Sequence, residues 1–288
     1  MRFRTIKLFQ VWTLIFLISL FSGSCVVCHA DGEEQSRNPQ ITFKVDPLYV
    51  VYHILVNTSP DRFIGNKCRP DIVDFQNLAW EKDQAAYKFL QHGVDPYMIM
   101  DHDDLSKLGK RAQDLLQVMA NDPSFKPLHK ETEEAMQKAK REWDEDFEKS
   151  SSIMRELTGI KFDEFKDIQV YISHPSQKNG LGGLKIQWTY RQDFPHYNTV
   201  YLWHEILHSY IPSSEHGEGF VNAEHAVIEL LADNELRCRL NGGAYPPFEG
   251  HKGIGSLREK LLPSWREYLK NPHKDIRQYL AKAKEILG

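Results

Sequence analysis

From Asp71 to Thr158, apolar residues recur at steps of three and four. Phe75, Leu78, Ala79, Ala86, Phe89 and Leu90 form one series, and Leu105, Leu108, Ala112, Leu115, Leu116 and Met119 another. That spacing lays an apolar stripe along a 3.6-residue helix, so the segment is predicted mostly helical, with Asp103 or Asp104 as a cap before Leu105. A longer helix is predicted from about Pro127 to Leu157, where Glu/Lys pairs suit a solvated face. Upstream, Ile41 to Val45 alternates like a short strand. Asp46-Pro47 then signals a helix start, and Leu48 to Val56 is predicted helical although its β-branched residues also suit a strand.

The period changes after Gly159. Ile168, Val170 and Ile172 alternate with polar residues, as do Leu184, Ile186 and Trp188. Asn179-Gly180 and Gly182-Gly183 lie between them, which predicts an antiparallel hairpin with a glycine-rich connection. No Gly-Lys-Ser/Thr follows these glycines, so a phosphate-binding loop is set aside. Leu257 to Leu287 is predicted as two amphipathic helices broken near Pro272. No repeat or low-complexity linker interrupts the chain. The expected architecture is a single α+β domain, mostly helical, over 41–288: a helical part (41–158), a catalytic core (159–255) holding the small antiparallel sheet, and C-terminal helices (256–288).

The first thirty residues differ from the rest. Arg2, Arg4 and Lys7 precede an apolar run from Leu8 to Phe21, then Ser22-Gly23-Ser24 and the small Ala30. That order is the pattern of a secretory signal peptide, followed by a polar, flexible leader over 31–40. The run is short for a bilayer span of roughly 20 residues, so the mature chain is expected to be periplasmic or extracellular without stable membrane association. An uncleaved signal, or a lipid on Cys25, is the alternative.

The 288 residues are 41% hydrophobic and 26% charged, in the range of folded soluble proteins. The net charge is −4. Without residues 1–30 it becomes −7, from 33 basic against 40 acidic residues. This disfavours a nucleic-acid partner. Cys68 and Cys238 are the cysteines left; one bridge or two buried thiols are both open.

The chemistry concentrates in Tyr201-Leu202-Trp203-His204-Glu205-Ile206-Leu207-His208-Ser209-Tyr210. Histidines four apart project from one face of a helix and can chelate one zinc ion. Glu205 beside the first is placed to act as a base, the H-E-x-x-H arrangement of zinc peptidases. A third histidine ligand is not offered by the extended motif, since Ile211 and Ser214 stand at its Gly and His positions. Downstream, His225, Glu229 and Asp233 form a polar stripe on an otherwise apolar helix. Glu229 is expected as the third metal ligand and Asp233 as the group orienting a ligand imidazole. Glu224, His225 and His216 compete for the ligand position. Tyr210, Tyr245 and His251 are candidate oxyanion donors.

His204-Glu205-x-x-His208 followed by Glu229-x-x-x-Asp233 resembles the gluzincin class of zinc metallopeptidases over about residues 200–235. The resemblance implies a zincin-like fold, one Zn2+ and a peptide or protein substrate. Val45-Asp46-Pro47 together with His-Glu-x-x-His-Ser also resembles a family of uncharacterised exported bacterial proteins. From that second pattern the chain departs at Leu48, where a basic residue is expected. A non-catalytic exported zinc-binding protein, or a binding module, is the alternative to an enzyme.

Overall fold

Three short segments of alternating residues build one sheet: β1 (Ile41–Lys44), β2 (Ile168–Ile172) and β3 (Lys185–Trp188), in the order β1-β2-β3. The computed structural model describes residues 41–56, 69–94, 99, 101–162, 167–175, 185–211, 218–244 and 251–288. The segments expected as signal peptide (1–30) and leader (31–40), with Cys68, His216 and Tyr245, lie outside the described residues. Both pairings are parallel, with Phe43 beside Val170 and Val170 beside Ile186. This corrects the expected antiparallel hairpin. A period of two is the same for either direction, and glycines mark a bend without saying how the chain returns. Twelve residues separate Ile172 from Lys185, the length at which a parallel crossover becomes feasible.

Alternation gives the sheet two unlike faces. Ile168, Val170, Ile172, Ile186 and Trp188 face one core, with Ile41 and Phe43 packed against it. On the opposite face Tyr171 enters a second core, its ring 5.5 Å from that of Tyr49.

The remainder is mostly helical. α1 (Pro47–Val56) begins as predicted, with Asp46 Oδ1 accepting from the Tyr49 backbone N–H at 2.9 Å. It is apolar nearly all round and buried from Tyr49 to Leu55, as a helix at the centre of a core must be. α2 (Pro70–Lys82), α3 (Gln84–His92), α4 (His102–Leu105) and α5 (Lys110–Ala120) pack around it. The cap expected at Asp103 or Asp104 is Asp101, which accepts from Asp104 N–H at 3.0 Å. It caps only the short α4, because the chain breaks before α5 at Gly109.

α6 (Phe125–Thr158) runs through both cores, giving Phe125 and Leu128 to one and Ala139, Trp143, Met154 and Leu157 to the other. Gly159 ends it in the left-handed region at φ 70°, its N–H returning to Arg155 O at 2.9 Å. α7 (Tyr197–Tyr210) and α8 (Glu218–Glu229) follow, then a π-helical stretch, Leu230–Leu236, and α9 (Arg237–Leu240). α10 (Gly255–Lys270) and α11 (Ile276–Leu287) are the two C-terminal helices, broken around Pro272 as predicted. No helix among the described residues is long and apolar enough to cross a membrane. Cys238 is half-buried, with no disulfide partner among the described residues.

Candidate metal centre

α7 is held in place by α6. Glu142, Asp146 and Ser150 recur every four residues on α6, so they share one face. Glu142 Oε1 accepts from the backbone N–H groups of Asn198 (2.6 Å) and Thr199 (3.1 Å). Asp146 Oδ2 accepts from Thr199 Oγ1 at 2.9 Å, and Ser150 Oγ accepts from Trp203 Nε1 at 2.9 Å. The first turn of α7 thus receives its missing hydrogen-bond partners from another helix. Trp203 packs on Trp143 and Phe162. Rotation of α7 is thereby blocked, and the opposite face presents His204, Glu205 and His208.

His204 is 2% exposed, and Asp233, at 1%, faces it from the π-helical stretch. His204 Nδ1 lies 3.3 Å from Asp233 Oδ1 and its Nε2 lies 3.1 Å from His225 Nε2 of α8. Burial lowers the His204 pKa, but the Asp233 charge and hydrogen bond outweigh it and raise the group to about 9. When protonated, the ring donates from Nδ1 to Asp233 and from Nε2 to His225. Loss of a proton leaves Nδ1–H facing Asp233 and frees Nε2, so binding a cation there would release a proton. His208 and His225 are both brought down to about 3, chiefly by burial and then by the positive charge of His204. Their rings are therefore neutral and can offer lone pairs.

His251 completes the cluster from the segment preceding α10. Ligand atoms of His204, His225 and His251 all lie within 4.8 Å of one another. The His251 ring centroid is 4.4 Å from that of His225 and 5.9 Å from that of His204. His208 stands beside the three, 5.3 Å from His204 and 4.9 Å from His225. The three imidazoles can hold a metal ion. Two nitrogens on a tetrahedral ion at about 2.0–2.1 Å are roughly 3.3 Å apart, close to the His204–His225 separation. The His251 side chain is 62% exposed, so the cluster is open to solvent on that side.

Glu229, the carboxylate expected among the ligands, stands behind His251. Its Oε1 accepts from the His251 backbone N–H at 2.7 Å and lies 2.8 Å from Nδ1 of the same ring. Its Oε2 is paired with Arg258 of α10 at 2.8 Å. Asp233 is where an orienting carboxylate was expected, against a ligand-type imidazole. Glu205, half-buried, has its pKa raised to about 7, mainly by burial and further by Asp233, with His204 and His251 opposing.

Among the competing candidates, Glu224 is directed to Lys284 of α11 at 3.2 Å, whereas His225 joins the cluster. Tyr210 packs edge-on against Phe162 at 5.1 Å. His251, a candidate oxyanion donor by sequence, groups with His204 and His225. Arg258 had no signal in the sequence, because its partner is 29 positions away on another helix. Neither a protein-family model, nor a curated protein, nor a solved structure matches the chain.

Proposed function

We propose that this chain is a zinc metallopeptidase, exported by its N-terminal signal, that hydrolyses peptide bonds in peptide or protein substrates. One observation carries the reading: Glu205 sits on the same buried helix as His204 and His208, and two further imidazoles, His225 and His251, converge on them. Four imidazoles gathered in one place form a nitrogen donor set that a bound cation would stabilise. Nitrogen-rich donor sets with no thiolate suit zinc. Zinc, when bound, supplies Lewis acidity toward a carbonyl oxygen and toward water.

The chain's own residues have separate tasks. Glu205 takes a proton from the attacking water and delivers it to the leaving amine. Asp233 holds the His204 ring in the tautomer that exposes Nε2. Among the described residues β3 ends the sheet order, and it precedes α7 in the chain, so an extended peptide can add to its outer edge. The resemblance of the His204–His208 segment to gluzincins points to the same reaction class.

The second reading, a zinc-binding protein without catalysis, is favoured by His208: a fourth imidazole beside the other three would close the coordination shell. The mature chain is therefore assayed on a peptide library with and without chelator, beside Glu205→Gln. Chelator-sensitive cleavage that vanishes in a zinc-retaining Glu205→Gln chain is the expected result. Zinc binding with no cleavage by either chain selects the second reading.

A further inference from the structure

Glu229 is fully buried, and its two oxygens face in different directions. Oε1 meets both N–H donors of His251, and Oε2 meets Arg258. Neither oxygen belongs to the group of ligand atoms that His204, His225 and His251 bring within 4.8 Å of one another. His251, by contrast, is solvent-exposed and would sample several rotamers without a tether. Its backbone and ring are held by one acceptor, an arrangement that fixes both the segment and the ring. With Nδ1–H donated to Glu229, Nε2 is the atom left to face the cluster.

We propose that Glu229 is a positioning residue, not a ligand: with its charge balanced by Arg258, it anchors His251 as the third imidazole of the metal centre. The inference rests on the metal reading given above and reverses the role that motif spacing assigns to Glu229. Outer groups that orient a ligand are worth about 10–100-fold in metal affinity. Anchor and ligand should therefore act as one unit, and their removals should not add.

The test titrates Co2+ into the full mature chain, freed of metal, and follows the visible absorption of the bound ion. Glu229→Ala and His251→Ala are each expected to weaken binding by about 10–100-fold. The double variant Glu229→Ala/His251→Ala is expected to bind no more weakly than His251→Ala alone. Because Glu229→Ala also removes an ion-pair partner of Arg258, Glu229→Gln/Arg258→Met serves as a second variant. Its amide oxygen still accepts from His251, and its affinity is expected within about threefold of the parent, well inside the range for a lost anchor. A further tenfold loss in the double alanine variant, or a Glu229→Gln/Arg258→Met chain as weak as Glu229→Ala, overturns the anchor role. In the parent chain, histidine-ring 15N spectra with zinc should show His251 protonated on Nδ1 and metal-bound through Nε2; a proton on Nε2 also overturns it. Failure of the parent to bind Co2+ at all overturns the metal reading itself, whereas binding with additive losses overturns only the anchor.

Discussion

The Glu142 carboxylate and Asn198 form a double clasp between α6 and α7. Oε1 accepts from the Asn198 backbone N–H at 2.6 Å, and Oε2 accepts from its Nδ2 at 2.9 Å. The Asn198 Oδ1 in turn accepts from Trp188 Nε1 at 3.1 Å, which ties the helix start to β3. Glu142→Ala should cost about 1–3 kcal/mol, since it strips partners from buried donors at a helix start. Urea unfolding measures this directly. A change within about 0.5 kcal/mol, typical of an ordinary surface site, would show that the clasp does not hold α7.

Asp233→Asn keeps the shape beside His204 but removes the charge that steadies Nδ1–H. Metal affinity should fall by about 10–100-fold while circular dichroism is unchanged. Competition with a chelating dye reads the affinity. Parent-like binding would separate the Asp233–His204 contact from metal holding.

Gly159→Ala tests the end of α6. The residue sits at φ 70°, and a Cβ there would lie 1.9 Å from Lys274 O. Both the backbone conformation and the space oppose a side chain, so stability should drop by more than about 1 kcal/mol. Ala at Gly109, where a Cβ would meet nothing within 4 Å, is the control and should unfold at nearly the parental urea concentration.

Glu131 gives a pH dependence with a definite sign. His174 Nε2 lies 3.0 Å from Oε2, and Arg69 Nη1 donates to Oε1 at 2.7 Å. These partners, His174 first, bring the carboxyl from 4.5 down to about 2 against the opposing effect of burial. Between those values the unfolded chain binds the proton more readily than the folded one. The Glu131 contribution is therefore complete above about pH 4.5 and is lost as pH falls toward 2. Glu131→Gln should flatten the stability–pH curve in that window. An unchanged acid slope would remove Glu131 from the account.

Much of this molecule could be read along the chain. The stripes through Ala79, Leu90 and Leu116 predicted helices that are present, and Asp46-Pro47 marked the start of α1. His204 and His208 share a face of α7 because residues four apart do so in any helix. The polar stripe His225, Glu229, Asp233 was also visible, and all three do stand around the imidazole cluster. By contrast, Glu142, Asp146 and Ser150 lie within the predicted Pro127–Leu157 helix, whose Glu/Lys pairs suit a solvated face. Their spacing is identical to that of exposed acids, and only the approach of α7 turns them into a buried seat.

Local patterning thus specified the helices, the alternating strands and the pairing of two histidines with a carboxylate, because each depends on geometry repeated within a few residues. Strand direction, the recruitment of His225 and His251, and the engagement of Glu229 by Arg258 arise where segments 16 or more residues apart meet. Those meetings depend on packing of whole helices around two cores, and no short-range period encodes which buried charge will find which partner.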